Sequence, residues 1–253
     1  MIFKNLTTSA AGNMSILKNG KVTYGNSIIE KTERIKIDAD YNLYSNVVSD
    51  SSGNIVNVYK NGSITVHDEN LNLIWDRKYE NTVFWEYPAL DQKGNIYIPC
   101  CNSASMNICI IDIATGDFSD RQIVLDSKCE TSSHLLPSVS IGENGEVYVL
   151  QKGVLKVFNV ENTLILDTQN LYSSSYSKYT VAPVITDNGY IYFSNNNRII
   201  CINKDGEEIW TYDKVADYPV YFIHYNATLY VFYENSNMLK FSAPGNLKGD
   251  WPQ

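Results

Sequence analysis

Short apolar runs separated by polar turn sequences recur along the whole chain, and the clearest unit lies between Val181 and Asp213. Runs of β-branched and aromatic residues bounded by Asn, Asp and Gly are typical of β-strands. Four such runs with short turns between them predict an antiparallel four-stranded meander. The four runs are Val184–Ile185, Tyr190–Phe193, Arg198–Ile202 and Glu207–Tyr212.

The same unit returns at intervals of 38 to 51 residues, measured at a turn position before the second predicted strand. In the unit above, Asp187-Asn188-Gly189 is typical of a two-residue hairpin loop, because Asn and Gly tolerate a positive φ. A period of about 40 residues with four strands per unit is typical of a β-propeller blade. The repeated turn positions are Gly12, Gly53, Gly94, Gly145, Gly189 and Ala227.

The repeat predicts one all-β domain over residues 1–253, a single β-propeller of about six four-stranded blades, with seven blades as the alternative. The first unit, about residues 6–38, has the weakest pattern, and the last unit, Val220 to Ala243, lacks a recognisable fourth strand. An unpaired sheet edge is unfavourable. We therefore expect the N-terminal residues, Met1 to Asn5, to supply the missing outer strand and close the ring.

Two segments, Tyr87–Tyr97 and Ile110–Gly116, resemble the repeat of pyrroloquinoline-quinone-like (PQQ-like) β-propellers. That repeat contains proline, aspartate, glycine and tyrosine, followed by Asp-x-x-Thr-Gly and a tryptophan, and Glu208–Trp210 is similar to its last part. The resemblance extends over nearly the whole chain. It implies the propeller fold but no particular activity, because such repeats serve enzymes, scaffolds and sensors alike.

By resemblance to propellers, the links from each fourth strand to the next first strand, and those between second and third strands, lie on one side, which we call the loop face. Four of these links are long or aromatic: Tyr79–Tyr87, Pro99–Asn107, Ser127–Leu136 and Gln169–Tyr179. The shorter link Asp213–Tyr218 adds Asp217 and Tyr218. Tyrosine and tryptophan suit stacking on sugars or gripping a protein, although single rings can instead cap the ends of neighbouring sheets. The candidate partner-binding residues are Phe84, Trp85, Tyr87, His134, Tyr172, Tyr176, Tyr179, Asp217 and Tyr218.

The chain is acidic, with a formal net charge of −8 and a pI near 4.9. This charge argues against general nucleic-acid binding and against an anionic membrane surface. The first residues contain no apolar core of a signal peptide, and no run approaches the roughly 20 apolar residues of a membrane span. We expect a monomeric cytoplasmic protein, or a secreted one if a leader has been removed.

Five cysteines, at an odd count and irregular spacing, predict neither a disulfide framework nor a zinc site. Cys109 and Cys201 lie in apolar runs and are interpreted as small buried side chains. The adjacent pair Cys100-Cys101 allows another interpretation, because the PQQ-like resemblance includes quinoprotein dehydrogenases, in which a disulfide between adjacent cysteines lies over the quinone. The chain shows no set of calcium-binding carboxylates, so we favour two ordinary thiols and expect no cofactor.

No sequence motif of hydrolases, zinc proteases or phosphate-binding loops is present. Asp50, Asp91 and Asp187 precede turn glycines and are explained by the turns, while His67 and His224 lie in or beside predicted strands. We therefore predict no catalytic residue and no metal site.

The predicted function is a non-catalytic binding module for a protein partner, of the scaffold or toxin-neutralising type, and the acidic charge is compatible with a basic partner. A lectin-like carbohydrate-binding propeller and a quinone-dependent or other propeller enzyme are the alternatives. The links differ between units, which favours one asymmetric partner over repeated sugar sites.

Overall fold

The computed structural model shows an all-β chain, and all regular secondary structure among the described residues is β-strand. No helix in this part of the chain is long and apolar enough to cross a membrane. The described residues are 14–16, 22–24, 27–30, 33–36, 45–50, 52–85, 88–102, 105–126, 128–129, 137–169, 181–213, 218–233 and 237–243.

The described strands are numbered β1 to β24 in chain order. They are Met14–Ile16, Val22–Tyr24, Ser27–Glu30, Glu33–Lys36, Ser45–Ser49, Ile55–Tyr59, Ser63–His67, Leu73–Lys78, Thr82–Phe84, Ala89–Leu90, Asn95–Asn102, Ser105–Asp112, Phe118–Asp126, Ser138–Ile141, Val147–Gln151, Val154–Phe158, Leu164–Asp167, Val184–Ile185, Ile191–Asn195, Arg198–Ile202, Glu208–Tyr212, Pro219–Tyr225, Thr228–Tyr233 and Met238–Ser242.

The chain forms two compact units, residues 1–84 with Gln253 and residues 85–252. The first unit contains the sheets β1–β2–β3–β4 and β5–β6–β7–β8. The second contains the meanders β10–β11–β12–β13, β14–β15–β16–β17, β18–β19–β20–β21 and β22–β23–β24. Six antiparallel meanders among the described residues confirm the predicted all-β repeat. The last meander has three described strands, β22–β23–β24, and the predicted closing strand Met1 to Asn5 lies outside the described residues.

Four of the described turns between first and second strands share one geometry, and they end in Gly53, Gly94, Gly145 and Gly189. Gly94 has a φ of +84° and its N–H donates to the Asp91 carbonyl at 3.2 Å, while the Asp91 N–H donates to the Asn95 carbonyl at 3.0 Å. The Asp91 carboxylate also accepts the N–H groups of Lys93 and Asn95 at 2.9 and 2.8 Å. Asp50 caps its own turn in the same way. The assignment of these two carboxylates to turn chemistry is therefore confirmed.

The turn at Gly189 differs from the two-residue loop that the sequence predicts. Gly189 is its one residue with a positive φ, and the Gly189 N–H donates to the Thr186 carbonyl at 2.9 Å. The Thr186 N–H donates to the Tyr190 carbonyl at 3.0 Å, so the loop has three residues and ends in a left-handed glycine. Thr186 takes the position in this turn that Asp50 and Asp91 take in theirs, three residues before the glycine. Asp187 lies within the loop itself, so its explanation by the turn holds, but the capping position belongs to Thr186.

Apolar side chains of successive sheets in the second unit form three shared clusters. Ile108 and Val139 belong to the cluster between the first two meanders, and Leu155 and Ile200 to the next. Two buried hydrogen bonds also cross between sheets, from Ser140 Oγ to the Pro183 carbonyl and from Asn195 Nδ2 to the Gly153 carbonyl, both at 2.8 Å. Each sheet in this unit is therefore stabilised by its sequence neighbours.

Aromatic packing fixes the last two meanders against each other. The ring of Trp210 on β21 stacks on Phe241 of β24 with centroids 5.3 Å apart and an interplanar angle of 18°. Tyr212 meets the same Phe241 ring edge-on at 5.2 Å, and Tyr192 lies 5.9 Å from Trp210. Trp210, which the repeat pattern singled out, is thus part of the contact between sheets.

Candidate functional site

The structure describes three of the nine candidate binding residues. Phe84 is 1% exposed and Trp85 is 7% exposed, so both rings are buried, while Tyr218 is partly buried just before β22. The remaining candidates lie outside the described residues and their assignment stays a prediction: Tyr87, His134, Tyr172, Tyr176, Tyr179 and Asp217.

The two buried rings are held by contacts within their own units. Phe84 meets Tyr79 edge-on with centroids 5.6 Å apart. Trp85 donates its backbone N–H to the Pro99 carbonyl at 2.9 Å, and its indole Nε1–H to Cys101 Sγ at 3.4 Å. Their burial fits the alternative interpretation, in which a ring caps the end of a sheet. Their part in binding stays a prediction.

The predicted insert Pro99–Asn107 is mostly strand, which corrects its interpretation as a loop. Strand β11 continues to Asn102 and β12 begins at Ser105, with Cys100 opposite Asn107 and Cys101 opposite Met106. The Asn107 side chain donates to Asn102 Oδ1 at 2.6 Å and to the Ser105 carbonyl at 3.0 Å. The polar sequence suggested a loop, but these side chains bond to one another and extend the hairpin.

Four cysteines form two disulfides, Cys100–Cys109 and Cys101–Cys129, with Cα atoms 5.9 and 5.8 Å apart. The prediction of ordinary thiols at Cys100 and Cys101, and of a simple buried side chain at Cys109, was therefore wrong. Successive residues of a strand point to opposite faces of its sheet. Cys100 shares its face with Asn107 and Cys109, whereas Cys101 lies on the other face and meets Cys129 beyond β13.

The disulfide pattern also removes the structural basis of the quinone interpretation, which rested on a bond between the adjacent cysteines. Each of Cys100 and Cys101 bonds to a different distant cysteine. The alternation of faces along a strand is the signal that could have excluded the adjacent bond. This signal can be used only if both cysteines are known to lie in a strand, whereas the sequence predicts a loop at this insert.

Three predicted links of the loop face thus meet in the second unit. Trp85 comes from the link Tyr79–Tyr87, Cys101 from Pro99–Asn107 and Cys129 from Ser127–Leu136, and Cys101 contacts both of the others. We call the side chains of Trp85, Cys100, Cys101, Cys109 and Cys129 the cystine corner.

Cys201 is the free cysteine among the described residues. Its side chain is buried beside Tyr192 and is only 1% exposed. Burial raises the pKa of the Cys201 thiol to about 12, although a hydrogen bond with Tyr192 acts in the opposite direction. The thiolate is the nucleophile in alkylation. We expect iodoacetamide at pH 9 to modify Cys201 at least about 100-fold more slowly in the folded chain than in urea, measured by mass spectrometry. Equal rates in the two states would contradict this burial.

The two described histidines occupy structural positions. His224 is 8% exposed and its Nε2 lies 2.8 Å from the Ala243 carbonyl, to which it donates. His67 is buried on β7. Within the described residues, no three His, Cys, Asp or Glu side chains gather so as to hold a metal ion.

No protein-family model matches the chain. No curated protein matches it either. Solved structures are similar at low sequence identity. A Bacteroides caccae protein of unknown function has a TM-score of 0.62 at 10% identity, covering 94% of this chain and 91% of its own.

A chain of the mitotic checkpoint complex has a TM-score of 0.71 at 10% identity, covering 95% of this chain and 76% of its own. BamB from Moraxella catarrhalis has a TM-score of 0.59 at 12% identity, covering 94% and 75%. These likenesses and the six meanders define the fold class, which is that of a β-propeller.

Proposed function

We propose that the second unit is a non-catalytic binding module of the PQQ-like repeat class, which holds a protein partner on its loop face. The observation that carries this proposal is the cystine corner. There three loop-face links are joined by one hydrogen bond and one disulfide, which hold Trp85, Cys101 and Cys129 in fixed positions. A surface that is ordered before binding loses less entropy when the partner arrives. Loops on a rigid scaffold commonly carry binding residues.

The differences between links favour a protein over a sugar. Repeated sugar sites would place the same aromatic at the same offset in several units, whereas Tyr87, His134 and Tyr176 stand in unlike sequences. The net charge of −8 favours a partner with a basic surface. One of the similar structures belongs to the mitotic checkpoint complex, so a chain of this fold occurs within a protein assembly.

The proposal is tested by capturing partners from an extract of the protein's own cells, at low and moderate salt, with mass spectrometry of the retained proteins. We expect one stoichiometric partner that is released as salt rises, because screening weakens charge pairing. A chain carrying Tyr87→Ala and Tyr176→Ala is expected to retain at least about tenfold less of that partner.

The matched control is Ile209→Ala, which removes an apolar side chain that is 47% exposed on β21, an outer strand and not a loop-face link. This control is expected to bind as the unchanged chain does. Equal retention by all three chains would contradict the proposed face. Absence of any protein partner together with binding on a glycan array would identify a sugar-binding module instead.

A further inference from the structure

We propose that Cys100, Cys101, Cys109 and Cys129 are oxidised in the working protein, so that this chain matures and acts in an oxidising compartment and not in the reducing cytosol. The proposal concerns compartment and covalent modification, and stands apart from the identity of any partner. It replaces the cytoplasmic expectation drawn from the first residues of the sequence.

The pairing follows from the two faces of strand β11, which carries both Cys100 and Cys101. Cys100 and Cys109 lie two positions apart in register on the same face of the β11–β12 pair, and Cys101 lies on the opposite face. The Cα separations of 5.9 and 5.8 Å are those of ordinary disulfides. Cys101 starts from the other face of β11 and bonds to Cys129, beyond β13. Two independent bonds therefore begin on opposite faces of the same strand.

The distribution of paired and unpaired cysteines points the same way. Stable structural disulfides persist in secreted and other oxidising environments and are rare in the cytosol. Here four of the five cysteines are paired, and the unpaired Cys201 is buried in a separate sheet where it cannot compete for exchange. An arrangement that pairs four cysteines and buries the fifth in another sheet suits a protein exposed to oxidants.

A disulfide-containing oxidant can form both bonds by thiol–disulfide exchange. For each pair, one thiolate attacks the oxidant disulfide and expels one thiol, and the second thiolate then displaces the other. Each cystine formed removes two electrons and two protons from the chain and leaves two thiols on the reduced oxidant. Two such exchanges complete both bonds.

The two bonds differ in their accessibility to a reductant. Cys100 and Cys109 are 0% and 3% exposed, whereas Cys129 is partly exposed beside Cys101. Exchange requires an attacking thiol to reach a sulfur atom. Cys101–Cys129 is therefore expected to open first under mild reduction, and Cys100–Cys109 only when the hairpin unfolds.

The decisive experiment counts thiols in protein taken from its own cells, with N-ethylmaleimide added at lysis and again in denaturant. We expect one labelled cysteine, Cys201, and five after reduction. Five labels without reduction would overturn the proposal, and three labels would overturn the claim that both bonds form. A Cys201→Ser chain, as control, is expected to carry no label before reduction.

The connectivity is tested in a Cys129→Ser chain produced under the same oxidising conditions. We expect the label on Cys101 and Cys201, with Cys100–Cys109 still bonded. A label on Cys109 in place of Cys101 would show that the adjacent cysteines bond to each other and would overturn the pairing. In the unchanged chain, a dithiothreitol titration should yield a species with three thiols, and its new labels should fall on Cys101 and Cys129.

Discussion

Replacing Trp210 by alanine is expected to lower the free energy of unfolding by about 3 kcal/mol, measured by urea denaturation followed by circular dichroism. The indole stacks on Phe241 at 5.3 Å and packs beside Tyr192 at 5.9 Å, which makes it an aromatic bridge between two sheets. Truncation removes the buried area of the ring and leaves a cavity that both sheets line. The indole is only partly buried, so the expected loss is at the lower end of the range for tryptophan.

The neighbouring residue provides the control for this prediction. Ile209 lies on the same strand, points the other way and is 47% exposed. Ile209→Ala is expected to change the free energy of unfolding by no more than about 0.5 kcal/mol. If both substitutions had the same small effect, Trp210 would not connect the two sheets. If Trp210→Ala also abolished capture of a partner while the chain remained folded, the position of the binding face would need revision.

Much of the fold could be predicted because its turns are encoded locally. Gly53, Gly94, Gly145 and Gly189 all adopt a positive φ between +81° and +93°, so glycine at this position marks the first turn of each of these four meanders. Glycine reaches this region without steric cost. The three-residue length of the Gly189 loop was missed because Asp187-Asn188-Gly189 also matches a two-residue loop, and the choice depends on the pairing of Thr186 with Tyr190.

The candidate site was harder to predict because its contacts are not local. Residue type alone does not show whether Trp85 points to solvent or towards Cys101, 16 positions further on. The bond between Cys101 and Cys129 spans 28 positions and depends on where β13 ends. Pairing of this kind follows from the sheet register, and the register of β11 and β12 beyond Pro99 was not visible in a segment that looked like a loop.

Replacing Gly62 by alanine is expected to lower the free energy of unfolding of the first unit by about 3 kcal/mol, measured by urea denaturation. Gly62 has a φ of +87°, which costs an alanine roughly 1–2 kcal/mol. An added Cβ would overlap the Thr82 carbonyl oxygen and lie 2.9 Å from the Tyr79 carbonyl oxygen. Both obstacles are backbone atoms, and Tyr79 also donates its N–H to the Gly62 carbonyl at 2.9 Å, so the overlap cannot be relieved by a side-chain rotation.

Two substitutions separate the cost of the dihedral angle from the cost of the overlap. Gly189→Ala has a similar φ of +81° but its Cβ would meet nothing closer than Lys204 Cβ at 3.8 Å, so about 1–2 kcal/mol is expected. Gly62→Asn relieves part of the dihedral cost, because asparagine tolerates this region, but keeps the overlap. It should therefore remain clearly less stable than the unchanged chain. A Gly62→Asn chain as stable as the unchanged one would show that the turn moves aside, and that the carbonyls of Tyr79 and Thr82 do not hold Gly62 in place.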